Sequence, residues 1–211
     1  MDRPNNQRDT EALILQAAER EFLEKGYTGA KTTSIAEAAG VTHAMLHYYF
    51  RTKDKLFEKI LADKLDKLGE IMFGVIGNTG LPLRERLVQG IEGHFDFIAA
   101  NPLLPRFVFN ELHSLPDRLE AVKYKIAPLA KAVIDNLQAA IDENSRRGKC
   151  RHVDARMIVM DIVSLNIFPF LANPLISTTF GTLFESREAF LKMRKKENVR
   201  TILDKLRLDY E

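Results

Sequence analysis

Apolar residues along this chain recur every three or four positions, which is the spacing of one face of an α-helix. No segment shows the sustained alternation typical of a strand, so the pattern predicts an all-α protein. Glycine and proline clusters separate the apolar stripes, most clearly at 74–82, and Pro128 predicts a kink. The predicted helices are about Thr10–Lys25, two short ones within 33–50, Lys53–Phe73, one spanning about 87–98, Leu104–Leu115, Asp117–Arg146, Asp154–Ala172 and Arg187–Tyr210.

Residues 33–50 predict two short helices joined by a tight turn. Gly40 stands where the first helix must end, because glycine takes the left-handed conformation without a steric cost. Thr42 then stands where a hydroxyl can accept from the free N–H groups of the second helix. Leu46 and Phe50 share one face of that helix and are predicted to point inward. This arrangement is a helix-turn-helix unit, whose second helix enters the major groove of DNA.

The outward positions of this unit are the predicted DNA contacts. Two of them stand at helix N-termini, where backbone N–H groups and the helix dipole favour a phosphate, namely Thr32 and Lys53. The predicted contact residues are Thr32, Thr33, His43, Ala44, Met45, His47, Tyr48 and Lys53.

Around this unit the chain resembles the TetR-type transcriptional regulators. The residues that carry the resemblance are Ile14 to Ala18, Phe22, Gly26, Tyr27, Thr32, Thr33, Ile35, Ala36, Ala39 to Thr42, Leu46, Tyr49, Phe50, Lys53, Leu56 and Phe57. Two positions depart from the family pattern, since Ala44 stands where glycine is usual and His47 where tyrosine is frequent. The resemblance implies a C-terminal domain that dimerises through its last two long helices and encloses a small-molecule pocket. Occupancy of that pocket is expected to change the separation of the two DNA-reading heads.

Composition agrees with a regulator that binds DNA inside the cell. The 211 residues are 45% apolar and carry a net charge of only +2, so the affinity for the DNA backbone is expected to be modest. A single cysteine indicates a reducing compartment, and there is no apolar run of membrane-spanning length. The sequence therefore predicts a cytoplasmic protein without a membrane partner.

Five polar residues fall on C-terminal helices that are otherwise apolar: His94, Asn110, His113, Tyr124 and Asn166. Burying such groups without partners costs about 1–3 kcal/mol each. Either each one has an internal hydrogen bond, or they converge on a ligand, and we take them as candidate ligand-binding residues. The absence of Arg or Lys from these inner faces argues against a strongly anionic ligand.

These patterns together predict an N-terminal helix-turn-helix domain over 1–55 and a helical effector-binding and dimerisation domain over 56–211. Residues 154–172 are apolar on nearly every side, which predicts burial against a second subunit. The predicted function is a homodimeric repressor that a small, mostly apolar ligand releases from a palindromic operator in double-stranded DNA.

The competing interpretations are an enzyme and a helix-turn-helix regulator without any effector. No nucleophile motif, metal-ligand spacing or phosphate-binding loop is present, so we expect no catalytic residue, no metal and no cofactor. A C-terminal domain that only binds a partner, or is purely structural, stays open as the alternative.

Overall fold

The structure is a computed structural model that describes the backbone of residues 3–76, 78, 80–114 and 116–208. Within those ranges it describes the side chains except for residues 3–8, 73, 75, 76, 111–122, 125, 180 and 182. This part of the chain forms ten α-helices and one short 3-10 helix and contains no strand, which confirms the all-α prediction.

The helices follow one another with short connections. Their bounds are α1 Arg3–Gly29, α2 Thr32–Ala38, α3 His43–Tyr49, α4 Lys53–Ile76, α5 Leu83–Ala100, α6 Leu104–Ser114, α7 Pro116–Arg146, α8 Ala155–Leu171, α9 Asn173–Phe180 and α10 Arg187–Leu206, with the 3-10 helix at Gly181–Leu183.

The helix bounds differ from the predicted ones at a few places. Helix α1 begins at Arg3, several residues before the predicted start, and its regular path breaks at Gly26, where φ is 69° and ψ is 172°. Helix α7 includes Pro128 in its interior. Helix α9 was not predicted, and it begins with the pair Asn173-Pro174, in which proline occupies a first-turn position that needs no N–H donor.

The chain divides into two compact units, and the divisions fall within α4, near the start of α6 and within α7. The first unit comprises Met1–Asp66 and Arg106–Ala121, and the second comprises Lys67–Pro105 and Val122–Glu211.

The first unit packs α1, α2, α3 and the start of α4 around a small aromatic and aliphatic core. Phe22 stacks on Tyr27 with ring centroids 5.9 Å apart, and Phe57 meets both rings edge-on at 5.5 and 5.3 Å. The other fully buried members of this core include Ile14, Ala18, Ile35, Leu46 and Leu56. This packing places the two short helices at the surface of the unit.

The second unit buries one continuous aliphatic core contributed by α5, α7, α8 and α10. Its members are Leu83, Leu87, Ile91, Val133, Leu137, Ile141, Ala155, Ile158, Ile162, Val199, Ile202, Leu203 and Leu206. A second cluster, which we call the phenylalanine cluster, comprises Phe95, Phe97, Ile98 and Phe170. Ion pairs join α10 to its neighbours, from Lys195 to Asp96 on α5 and from Lys205 to Asp161 on α8.

No single helix among the described residues is long and apolar enough to cross a bilayer. Helices α8 and α9, bent by 67°, reach that length and composition only when they are taken together.

Candidate functional site

The two short helices α2 and α3 form the predicted helix-turn-helix geometry. Ile35 and Ala36 bury one face of α2, and Leu46 buries one face of α3. Gly40 lies in the turn with φ of 68°, a conformation that L-residues with side chains rarely adopt. The Thr42 hydroxyl accepts from the Met45 N–H at 3.1 Å and so caps α3. The turn chemistry predicted from the sequence is therefore confirmed.

Helix α3 presents a nearly continuous exposed surface, because of its seven residues only Leu46 is buried. Tyr48 is 74% exposed and Met45 is 44% exposed, large fractions for such apolar side chains. We call this surface the α3 face, and its exposed members are His43, Ala44, Met45, His47 and Tyr48. These five residues are all among the predicted DNA contacts.

The two histidines of the α3 face are held by specific partners. Thr32 Oγ1 lies 3.0 Å from His43 Nε2, so a residue at the start of α2 fixes the orientation of that imidazole. His47 Nδ1 lies 3.3 Å from the Arg51 carbonyl, which can only accept, so Nδ1 must carry the proton. The two rings meet edge to face with centroids 4.4 Å apart.

Lys53, at the start of α4, makes contacts within the first unit. Its Nζ donates to the Ala30 carbonyl at 2.7 Å and lies 4.4 Å from the centroid of the Tyr27 ring. The Tyr27 hydroxyl in turn donates to Asp54 at 2.8 Å. An ammonium has three donors, so this arrangement fixes the Lys53 side chain beside α2 and leaves donors for a phosphate. Thr33 follows Thr32 at the start of α2, and its side chain is exposed.

The five candidate ligand-binding residues occupy different surroundings. His94 and Asn166 are buried together in the second unit. Tyr124 belongs to the same unit but is 84% exposed on α7. Asn110 is exposed and belongs to the first unit, and the side chain of His113 lies outside the described residues. Among the candidates whose side chains are described, His94 and Asn166 contact each other.

A third buried polar residue, Asn198 on α10, completes a chain of hydrogen bonds that sequence reasoning missed. Asn166 Nδ2 donates to the Ile91 carbonyl at 2.9 Å and to His94 Nδ1 at 3.0 Å. Asn198 Nδ2 donates to Asn166 Oδ1 at 2.8 Å and to the Leu165 carbonyl at 3.0 Å. Asn198 lies on the same face of α10 as Ile202 and Leu206, since the three positions are spaced four residues apart. That spacing was the signal in the sequence that indicated its burial.

The electrostatics of this polar chain favour a neutral imidazole. Removal from water disfavours a charge, and burial lowers the pKa of His94 from its ordinary 6.5 to about 4. Arg86, on the same helix α5, is also buried, which corrects the expectation that the inner faces lack Arg and Lys. A partly anionic ligand is therefore not excluded by the composition of α5.

Helix α8 carries a row of exposed apolar side chains on the side away from its buried residues. Met157, Met160 and Phe168 are 50%, 60% and 57% exposed in the single chain, at positions i, i+3 and i+11. Ile158 and Ile162 lie on the opposite side, inside the core. We call this row, Met157, Met160 and Phe168, the α8 stripe.

Family models match both parts of the chain. The model described as bacterial regulatory proteins, tetR family, matches residues 14–60, and the model described as Tetracyclin repressor-like, C-terminal domain, matches residues 84–202.

Individual relatives and solved structures are similar over most of the length. The chain is 28% identical over 165 residues to the HTH-type transcriptional activator FasR of Mycolicibacterium smegmatis, covering 78% of this chain and 71% of FasR. It is 25% identical over 145 residues to the Fatty acid metabolism regulator protein of Bacillus subtilis, covering 68% of this chain and 73% of that protein. The crystal structure of the transcriptional regulator FadR from Bacillus subtilis in complex with stearoyl-CoA superposes with a TM-score of 0.65 at 19% identity, covering 92% of this chain and 98% of FadR.

Proposed function

Because this chain belongs to the TetR family of bacterial regulatory proteins, we propose that it is a cytoplasmic, homodimeric repressor that a small, mostly apolar ligand releases from a palindromic operator. The observation that carries this proposal is the α3 face. Helix α3 buries only Leu46 and exposes two imidazole rings, a phenol ring, a thioether and a methyl group. These exposed side chains do not contribute to the core of their own unit, so they are available to contact another molecule. Such a helix fits the major groove, where base edges are read.

Within this proposal the contacts divide into two kinds. Lys53, Thr32 and Thr33 stand at the starts of α4 and α2 and contact phosphates, which set register without reading sequence. His43 and Met45 lie in the first turn of α3, the part of a recognition helix that meets base edges, and they read sequence. His47 and Tyr48 extend the contact along the groove.

The dimer is supported by the α8 stripe. Covering the exposed Met and Phe side chains with a second copy of the chain would stabilise the dimer by about 25 cal/mol per Å² of apolar surface buried. We propose that α8 and α10 pair with their symmetry mates in a four-helix interface. A two-fold axis there places two recognition helices about 34–36 Å apart or a multiple of that distance, which requires an inverted repeat in the DNA.

The effector is proposed from the apolar character of the second unit and from the relatives. One relative is named as a fatty acid metabolism regulator, and one neighbour in structure was solved with stearoyl-CoA. We propose an effector with a long acyl chain, for which stearoyl-CoA is the first probe. Release of DNA requires that the ligand bind the mis-spaced dimer better than the DNA-competent one, since only that difference in affinity shifts the equilibrium.

Selection of DNA from random pools by the purified full-length protein tests the DNA-binding part of the proposal. We expect enrichment of an inverted repeat whose half-sites lie about one helical turn, or a multiple of it, apart. Enrichment of no sequence, or of a single unrepeated half-site, would contradict a dimeric operator-binding protein.

A regulator without an effector is the competing function, and one observation favours it. His94 and Asn166 bond to each other, as core residues with internal partners do. In that case stearoyl-CoA and other acyl ligands would leave the affinity for the selected DNA unchanged, and the second unit would serve the dimer alone.

A further inference from the structure

Two histidines at four-residue spacing share one surface of helix α3. His43 and His47 are both exposed, and their rings meet edge to face with centroids 4.4 Å apart. Residues at i and i+4 lie above one another on a helix, and two histidines at that spacing are able to hold one zinc ion. Because solvent reaches both rings, a ligand can approach them without a cavity.

Each of the two rings is held by the protein through one of its nitrogens. His47 Nδ1 lies 3.3 Å from the Arg51 carbonyl, which only accepts, so His47 donates there and Nε2 is the nitrogen left for a metal. His43 Nε2 lies 3.0 Å from Thr32 Oγ1, and a hydroxyl is able to accept, which leaves Nδ1 of that ring for a metal. Histidines that ligate metals have this arrangement, in which one N–H donates to an oxygen and the other nitrogen binds the ion.

The separation of the two rings agrees with a shared ion. Zn–N bonds of about 2.0–2.1 Å at a tetrahedral angle hold two nitrogens about 3.4 Å apart and two ring centroids roughly 5 Å apart. The observed centroid separation of 4.4 Å is slightly shorter. Both side chains are exposed, so a small rotation of either ring closes the difference without disturbing the core.

The ligand types define which ion fits. Imidazole nitrogens suit Zn²⁺, Ni²⁺ and Cu²⁺, whereas Mg²⁺ and Ca²⁺ prefer oxygen ligands. The described residues contain no group of three or more His, Cys, Asp or Glu side chains placed to share an ion. Two histidines are therefore the protein ligands, and water molecules complete the coordination of the ion.

We propose that His43 and His47 form a two-histidine site for a divalent transition-metal ion such as Zn²⁺, and that the bound ion competes with DNA for the α3 face. The sequence predicted no metal site, and the reason for proposing one is the orientation of the two rings, which only the structure shows. The competition rests on the proposed function, because it requires that α3 is the helix that contacts DNA. The binding of the ion does not.

Competition follows because the ion and the DNA require the same side chains. A hydrated ion held by both imidazoles occupies the surface of α3 that would meet base edges. Binding of the ion and binding of DNA then weaken each other by the same factor. At a free Zn²⁺ concentration ten times its dissociation constant, ligands that exclude each other reduce the apparent affinity for DNA about tenfold.

Calorimetric titration of the full-length protein with ZnCl₂ measures the site in the absence of DNA. The reference protein is Cys150→Ser, because a cysteine thiolate is also a strong zinc ligand. We expect one ion per chain in the reference. Adding His43→Ala or His47→Ala should each lower the affinity by about tenfold or more, since even the loss of a group that only orients a ligand costs about 10- to 100-fold.

The matched control for these variants is His152→Ala in the same reference protein. The His152 side chain is 67% exposed and bonds to Asp142, and its removal should leave the zinc affinity unchanged. MgCl₂ should give no binding heat at the histidine pair, because it prefers oxygen ligands. Zinc affinity that falls in only one of the His43→Ala and His47→Ala variants, or in neither, would overturn a shared site.

A measurement on the unmutated protein tests the same site without any substitution. In long-range ¹H–¹⁵N correlation spectra of the histidine rings, ZnCl₂ should shift the ring nitrogens of His43 and His47 over the same concentration range. The buried His94 should keep its resonances. A shift of His43 without His47, or the reverse, would overturn the proposal.

Anisotropy titrations of the operator selected from random pools, with and without ZnCl₂, test the competition. At saturating Zn²⁺ the reference protein should bind the operator about tenfold more weakly or worse, and His43→Ala should bind it equally well at the same ZnCl₂ concentration and without ZnCl₂. Zinc that binds the protein but leaves operator affinity unchanged would overturn the competition. If no operator is selected, the proposed function fails, whereas the zinc site, measured without DNA, stands.

Discussion

Acidification should destabilise the folded protein through His94 in particular. In the unfolded chain this imidazole binds a proton near its ordinary pKa of 6.5, whereas burial holds the native pKa at about 4. Between these values the unfolded state binds more protons, so the free energy of unfolding falls as the pH falls. The loss begins near pH 6.5 and ends near pH 4, where the native imidazole also binds its proton. It amounts to about 2 kcal/mol at pH 5 and about 3 kcal/mol near pH 4.

Urea unfolding of the wild type and of His94→Gln isolates the contribution of His94 to the pH dependence of stability. Both proteins are measured at the same concentration and at several pH values from 7.5 to 5. Glutamine does not titrate, and carboxylates common to both proteins cancel in the difference. His94→Gln should be the less stable protein at pH 7.5, and its deficit should shrink by about 2 kcal/mol by pH 5. Parallel stability curves over this range would refute the reasoning, because they would mean that His94 titrates alike in both states.

Three further predictions concern the helix-turn-helix unit, the DNA-binding surface and the dimer. Thr42→Ala removes the side-chain cap of α3 and should lower the free energy of unfolding by about 1 kcal/mol in urea titrations. His47→Ala and Lys53→Ala should each weaken DNA binding for every sequence in electrophoretic shift assays, and unchanged shifts for both variants would remove them from the interface. Phe168→Lys places a charge in the α8 stripe and should give a monomer in light scattering at micromolar concentration, whereas Leu183→Lys, at an exposed position outside α8 and α10, should stay a dimer.

The features that sequence reasoning predicted well are those set by local backbone chemistry. Gly26 and Gly40 both adopt positive φ, and Thr42 caps α3, because a helix end needs a particular conformation or acceptor whatever surrounds it. The short helix α9 was missed although Asn173-Pro174 is a helix start signal, because its eight residues follow directly on the apolar run of α8 and show no separate stripe of their own.

Tertiary contacts explain what the sequence could not predict. Asn198 was not among the polar residues singled out from the sequence, yet it is buried, because it bonds to Asn166 on a helix 32 residues away in sequence. Sequence shows which residues are polar, but not which polar residues bond to one another across helices. The apolar character of α8 suggested burial on every side. In the single chain Met160 and Phe168 remain exposed, and the proposed dimer would cover them.

The most direct test of the central claim is an anisotropy titration of the selected, fluorescently labelled operator with full-length protein, in the absence and presence of stearoyl-CoA at fixed salt. The account predicts saturable binding of two protomers per inverted repeat and a weaker affinity, by about tenfold or more, when stearoyl-CoA is present, which corresponds to a coupling free energy of about 1.4 kcal/mol. Tight operator binding that stearoyl-CoA leaves unchanged or strengthens would contradict a repressor released by an acyl ligand.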